Sequence, residues 1–334
     1  MAWQDPAFAA FAYHGGNLSA ARRLYPDAAQ PWIDLSTGVN PHAYPLPAIE
    51  AQAWTRLPDG AKIARLEAAA AERYRARGEV VAAPGSQAIV QMLSRIFPAR
   101  RVGVFGATYS GHARAWEAAG AEVTRFERLE DLAACDIAIV VNPNNPDGRI
   151  VPVATLADLA RKMTPCVLIV DEAFADFDAA DESLAPVLPA RGAIVLRSFG
   201  KAFGLPGLRL GFAILSRELA VPLRAALGPW AVSGPAIEVG LAALPDTAWL
   251  ESTRTRLAIE AARLDRLLMA SGWRVIGGTK LFRLASSADA SERFLALLRQ
   301  GLLTRPFADA PDFLRFGLPA DEAAWVRLAA ALAP

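Results

Sequence analysis

The sequence predicts an α/β protein: a large domain with a mostly parallel central sheet between helices, followed by a smaller α+β domain. Three observations lead there. Compact apolar runs at 102–105, 137–141, 167–170 and 193–196 read as buried strands. Segments with helical spacing separate them, which is the βαβ rhythm of a parallel sheet covered on both faces. After residue 215 that rhythm fades into a long helical stretch and a second set of strands, in a chain of 334 residues that is 53% hydrophobic and therefore large enough for a second core.

Taken in order, residues 61–76 show helical spacing, Val80-Val81 lead into Pro84-Gly85-Ser86, and 88–96 are helical again. The strand at 102–105 is followed by a helix at 110–119 closed by Gly120, and a helix around 154–163 joins the strands at 137–141 and 167–170. The strand at 193–196 delivers Ser198 and Lys201 at its C-terminal end, where open α/β sheets keep their ligand crevices. A strand at 209–215 follows. Mostly helical residues 235–270 then lead to strands at 274–276 and 281–284, a helix near 292–299 and a last helix from Asp321.

Composition excludes several classes. A formal net charge of +1 gives no electrostatic reason to expect nucleic acid. Cys135 and Cys166 lie in or beside apolar runs, as core thiols do. His14, His42 and His112 lack metal-ligand spacing, so no metal is expected. No apolar run approaches membrane length. A soluble, cytoplasmic protein without a membrane partner is expected.

Lys201 is the first candidate for chemistry. Among 35 Lys+Arg, lysine occurs only at 62, 162, 201 and 280, so each lysine raises the question of whether its position needs an amine that sheds a proton, which arginine does not do at working pH. Schiff-base chemistry on a carbonyl cofactor requires such an amine. On composition alone Lys201 is equally a loop lysine among turn glycines; its place at a strand end favours chemistry.

Three other strand ends carry polar residues. Asn142-Pro143-Asn144-Asn145-Pro146-Asp147-Gly148 is either a plain loop or a rigid one holding an amide against a ligand, and either Asn–Pro bond can be cis. Asp171-Glu172 serves a ligand cation or caps a helix. Pro84-Gly85-Ser86-Gln87 supplies free amides for a phosphate or an ordinary N-cap.

Together, and in this order, these motifs and Ser198-x-x-Lys201 with Gly207-Leu208-Arg209-Leu210-Gly211 resemble the class I/II aminotransferases, pyridoxal-phosphate enzymes of fold type I, over about residues 36–317. The resemblance implies pyridoxal 5′-phosphate as cofactor. Lys201 would condense with its aldehyde, Asp171 would pair with the ring nitrogen, and Asn145 would bond its phenolic oxygen. Gly85, Ser86, Gln87, Ser198 and Arg209 would hold its phosphate, and Tyr109 would stack on the ring and share in catalysis. Arg315, in Phe313-Leu314-Arg315-Phe316-Gly317, matches the family arginine that clamps a substrate carboxylate; read alone, it is an arginine snorkelling from a strand. The implied domains are an N-terminal segment 1–44 joining the small domain and the substrate site, a cofactor-binding domain 45–245 and a small domain 246–334. A homodimer is implied too.

Within that family, His14-Gly15-Gly16-Asn17 and 33–41, with Asn40, resemble the opening of the L-threonine-O-3-phosphate decarboxylases of cobalamin biosynthesis, more than that of the related histidinol-phosphate aminotransferases. Their substrate is a phosphorylated amino acid. His14, Gly15, Asn17 and Arg305 would form its phosphate nest, with Asn40 also binding substrate and Arg315 on the carboxylate. Phe174 stands where many aminotransferases of the family carry a tyrosine that touches the cofactor, which is consistent with a decarboxylase and equally with neutral drift.

Overall fold

The computed structural model describes residues 6–163, 166–189 and 191–333. They form two compact units, one of residues 43–145 and 149–251, the other of residues up to 42, 146–148 and from 252 onward. None of the helices among the described residues is long and apolar enough to cross a membrane.

The first unit is built on a seven-stranded sheet in the order Glu79–Ala83, Gly211–Leu215, Ala193–Ser198, Val167–Asp171, Ile137–Val141, Arg101–Phe105, Glu122–Phe126. Gly211–Leu215 runs antiparallel to both of its neighbours, and the other pairings are parallel. The central strands are buried along their whole length, which is why they read as continuous apolar runs rather than alternating ones. Helices Ser86–Ile96 and Ser110–Ala118 pack Ile89, Val90, Leu93, Ala115 and Trp116 against one face of this sheet.

The helices stand where their caps put them. Asp59 accepts from the Ala61 amide at 2.8 Å before helix Gly60–Arg73, and Ser233 caps Gly234–Ala243, which has Pro235 in its first turn. Each such cap is worth about 1 kcal/mol. Helix Ser86–Ile96 begins two residues earlier than its spacing suggests, directly after Gly85, whose φ of +87° only glycine adopts easily.

One geometric consequence matters for function. The five adjacent parallel strands end at Ser198, Asp171, Val141, Phe105 and Phe126 on one edge of the sheet. Because Gly211–Leu215 is reversed between them, Glu79–Ala83 ends on that same edge and Gly211 begins there. Six loops therefore open on one side, where ligands of such sheets bind.

The second unit has a four-stranded antiparallel sheet ordered Arg305–Pro306, Phe313–Gly317, Phe282–Ser286, Arg274–Thr279, with an irregularity at Leu284/Ala285. Ile33–Asp34 pairs in parallel with Leu302–Leu303. Phe294 of helix Ala290–Arg299 takes Phe8 and Phe11 edge-on at 5.6 and 5.9 Å, which anchors the N-terminal helix. Asp321 caps the last helix, Glu322–Leu332.

Candidate active site

The loops on that edge of the large sheet gather the chemistry. Gly85 lies against Arg209: a Cβ added there would come within 2.6 Å of the guanidinium, so the space is one only glycine leaves open. Arg209 itself sits in the left-handed region at φ +55°, with Nη1 donating to the Pro206 carbonyl at 3.0 Å. Ser198 pairs with Gly211, which backs directly onto Gly85 and Ser86. Gly85, Ser86, Ser198 and Arg209 thus converge at the N-terminus of an eleven-residue helix, a place suited to an anion such as phosphate.

A second chain of contacts runs from there to the carboxylate. Tyr109 Oη donates to Gln87 Oε1 at 3.0 Å, the Tyr109 and His112 rings meet edge-on at 6.0 Å, and His112 Nε2 lies 2.8 Å from Asp171 Oδ2. The other Asp171 oxygen accepts from the Ala173 amide at 3.1 Å. His112 is fully buried. In the sequence it is only a histidine without metal-ligand spacing; the usable signal is its spacing of three from Tyr109, which puts both on one face of the helix that starts at Ser110.

The Asn-Pro loop divides its labour. Asn142 exchanges two bonds with the backbone of Val151, at 2.8 and 3.1 Å. Asn144 takes the Thr108 hydroxyl at 2.6 Å and gives its amide to the Ala107 carbonyl at 2.9 Å. Asn142 and Asn144 are buried structural ties, and Asn145 is half-buried. The Asn142–Pro143 bond is cis. Lys201 is half-buried in the short helix Phe199–Ala202, with Nζ 5.5 Å from the centroid of the Phe174 ring.

A phosphate-bearing, cationic aromatic cofactor fits this donor set: anion donors at one end, an ionisable carboxylate held by a histidine at the other, and an amine and an amide beside them.

In the second unit the predicted residues form a separate group. Ser36 Oγ donates to Asp34 Oδ1 at 2.5 Å and accepts from the Gly16 amide at 2.7 Å, so the segment carrying His14 is bound to the strand Ile33–Asp34. Gly15 packs so closely on the Ser36 carbonyl that no side chain fits. Asn17 caps helix Leu18–Leu24, accepting from the Ala20 amide at 3.3 Å. His14 is exposed, with Nδ1 2.9 Å from the Gly15 carbonyl. Asn40 is buried and accepts from the His42 amide at 2.9 Å.

Arg305 and Arg315 face each other across adjacent strands. Arg305 donates to the Phe11 and Tyr13 carbonyls, both at 2.6 Å, and Arg315 to the Ser36 carbonyl at 2.6 Å. Arg305 therefore holds the backbone just before His14. Burial pushes the Arg315 guanidinium down to about 9, Arg305 pushes the same way, and the charge of Asp34 opposes them without prevailing.

Comparison with known proteins places the chain. The profile of the family Aminotransferase class I and II matches residues 30–332. The chain belongs to that family. Threonine-phosphate decarboxylase from Pseudomonas aeruginosa is 46% identical over 96% of this chain and 96% of the relative. A second threonine-phosphate decarboxylase, from a Sinorhizobium species, is 42% identical over 96% of this chain and 97% of its own length. Among solved structures, histidinol-phosphate aminotransferase from Sinorhizobium meliloti, in complex with pyridoxal-5′-phosphate, superposes with a TM-score of 0.80 over 98% of this chain and 96% of that one, at 18% identity. That last likeness shows the fold, the fold type I architecture expected from the motifs.

Proposed function

We propose that this protein decarboxylates L-threonine O-3-phosphate, with pyridoxal 5′-phosphate as cofactor, releasing CO2 and (R)-1-amino-2-propanol O-2-phosphate for the aminopropanol linker of cobalamin. The observation that carries the reading is the identity of 46% and 42% to two threonine-phosphate decarboxylases over nearly the whole chain.

In this reading Lys201 would hold the cofactor by its aldehyde, and Lys201 or a water would return a proton to the substrate's Cα. Asp171, oriented by His112, keeps the ring nitrogen protonated. Gly85, Ser86, Gln87, Ser198 and Arg209 hold the cofactor phosphate, Asn145 bonds the phenolic oxygen, and Tyr109 covers the ring with Phe174 beside Lys201. When bound, pyridoxal phosphate supplies a sink for the electron pair that the departing carboxylate leaves behind.

Arg315 takes the substrate's carboxylate. A charge-assisted bond to a group that loses its charge as CO2 leaves favours binding more than bond cleavage. The substrate phosphate would be held by Arg305, His14, Gly15 and Asn17, with Asn40 also in the substrate site, and anchoring that end would orient the carboxylate for its loss.

We further assign the protein to the cytoplasm as a homodimer. Trp54 at 68% exposure, Leu57 at 68% and Trp230 at 53% rim a groove of about 630 Å³ that reaches Arg209, an exposed apolar concentration of the kind that marks protein interfaces.

Carboxyl-labelled L-threonine O-3-phosphate tests the function. Labelled CO2 released without any 2-oxoacid is the expected result; glutamate formed from 2-oxoglutarate and histidinol phosphate, with no CO2 from threonine phosphate, assigns an aminotransferase instead.

A further inference from the structure

The strand ends that carry Asp171 and Ser198 have two faces. Ile169, Ile194 and Leu196 belong to the core beneath helices Ser86–Ile96 and Ser110–Ala118. Side chains alternate along a strand, so Asp171 and Ser198 share that face, and the Asp171–His112 contact agrees. Glu172 and Arg197 then point to the opposite face.

There they meet a closed set of charges. Arg197 Nη1 donates to Glu172 Oε2 at 2.9 Å, and Arg197 Nη2 lies 2.8 Å from Asp176 Oδ1. Glu172 also accepts from Ser183 Oγ at 2.6 Å and from the Leu184 amide at 2.7 Å. Arg73 Nη2 stands 3.8 Å from Asp176, and the Tyr74 ring lies under the Arg197 guanidinium at 4.3 Å. Glu172, Asp176 and Arg197 are at 0%, 2% and 3% exposure. None of them is needed for the chemistry proposed above.

Such a cluster is a poor way to gain stability. Taking ions out of water costs about as much as their attraction returns, and well-packed apolar side chains of the same volume often serve as well or better. What charges give and apolar groups do not is direction: the arginine fork fixes two carboxylates at once in a set geometry. The two strands are last joined by the Glu172 amide, which donates to the Leu196 carbonyl at 2.9 Å. Glu172 and Arg197 are the residues immediately after Asp171 and immediately before Ser198, so the fork clamps the ends just where regular pairing of the two strands stops.

We propose that the Glu172–Arg197–Asp176 cluster is a positioning device, which fixes from the rear of the sheet two adjacent strand ends, one presenting Asp171 and the other Ser198 with Lys201. Arg197 is a positioning residue and touches no ligand. The inference rests on the pyridoxal-phosphate reading of the front face.

Two variants test it, each read for thermal midpoint, for the Kd of pyridoxal phosphate without substrate, and for kcat and KM on threonine phosphate. Arg197→Lys keeps the charge but loses the fork. The triple variant Glu172→Gln, Asp176→Asn, Arg197→Met removes the three buried charges together and leaves only the partly exposed Arg73 without its carboxylate. Both are expected to bind the cofactor about tenfold more weakly and to lose roughly 10- to 100-fold in kcat, the cost of a misplacement of the order of 1 Å, with KM changed by about threefold or less. The triple variant is expected to do so with its thermal midpoint preserved. If folded variants keep Kd and kcat within about twofold while only the midpoint moves, the cluster serves the fold and the proposal is overturned. Should the triple variant fail to fold, Arg197→Lys decides alone. A native chain that binds no pyridoxal phosphate overturns the reading of the site, a result distinct from native-like binding in every variant.

Discussion

Arg197 in one unit and Arg315 in the other are both buried, at 3% and 5% exposure, and their surroundings drive them in opposite directions. Burial works against the charge on Arg197, but Asp176 and then Glu172 outweigh it and hold the guanidinium above its ordinary value. At Arg315 burial and the facing Arg305 combine to push the group down, and Asp34 recovers only part. The first arginine has its counter-charge built into the fold. At the second, Asp34 opposes the downward push without outweighing it, and in the proposed reading the substrate's carboxylate would add the negative charge. Burial alone does not tell a structural arginine from a binding one; the balance of charge around it does.

Replacing each arginine separates the two cases. Arg197→Met leaves two buried carboxylates uncompensated and is expected to cost about 3–5 kcal/mol of stability, read by urea denaturation; a loss under about 1 kcal/mol would remove the contrast. Arg315→Gln keeps a donor for the Ser36 carbonyl and loses the charge. Its KM for threonine phosphate is expected to rise roughly 10- to 100-fold, as for a lost charge-assisted bond of about 1.5–3 kcal/mol, with kcat changed less because the contact is made before the reaction rather than during it.

His112→Leu takes away the partner of Asp171 on the front face. Weaker cofactor binding by about tenfold is expected, in line with one hydrogen bond to a charged group, and equilibrium titration with pyridoxal phosphate reads it. An unchanged Kd would mean that the Ala173 amide suffices to orient the carboxylate. Smaller still, Asn17→Ala removes a helix cap and is expected to cost about 1 kcal/mol and, from the lost phosphate contact, to raise KM; an unchanged KM would leave Asn17 a cap alone.

The pH dependence of the pair follows from the sign of the shift. A basic group lowered to about 9 in the native chain binds fewer protons there than when unfolded, so stability rises with pH from about 9 toward the ordinary arginine value. The stability advantage of Arg315→Gln over the native chain is therefore full below about pH 9 and narrows above it. A gap independent of pH would contradict the shift.

The sequence made the cofactor half of this picture legible and left its supports unread. Lys201 stands out because lysine is rare, and Asp171 and Ser198 because they end uninterrupted apolar strands. Arg197 is invisible by the same logic, being a single polar residue inside a run that otherwise looks like buried strand, with partners at 172 and 176 that only the sheet brings near. His112 was hidden because its partner lies 59 positions away. The edge strand Glu122–Phe126 was missed since it is exposed or half-exposed throughout and lacks an apolar run. The pairing of Ile33–Asp34 with Leu302–Leu303 involves two residues on each side, too few for any periodicity. In the Asn-Pro loop the three asparagines look alike as letters, and only their hydrogen bonds assign Asn142 and Asn144 to the loop itself.

The measurement that bears most directly on the contrast between the two arginines is the thermal midpoint of Arg315→Gln without ligand, taken beside its KM. A midpoint equal to or above that of the native chain, together with the raised KM, is the predicted result. A midpoint that falls as far as that of Arg197→Met would make Arg315 another internal tie and contradict its assignment to the substrate's carboxylate.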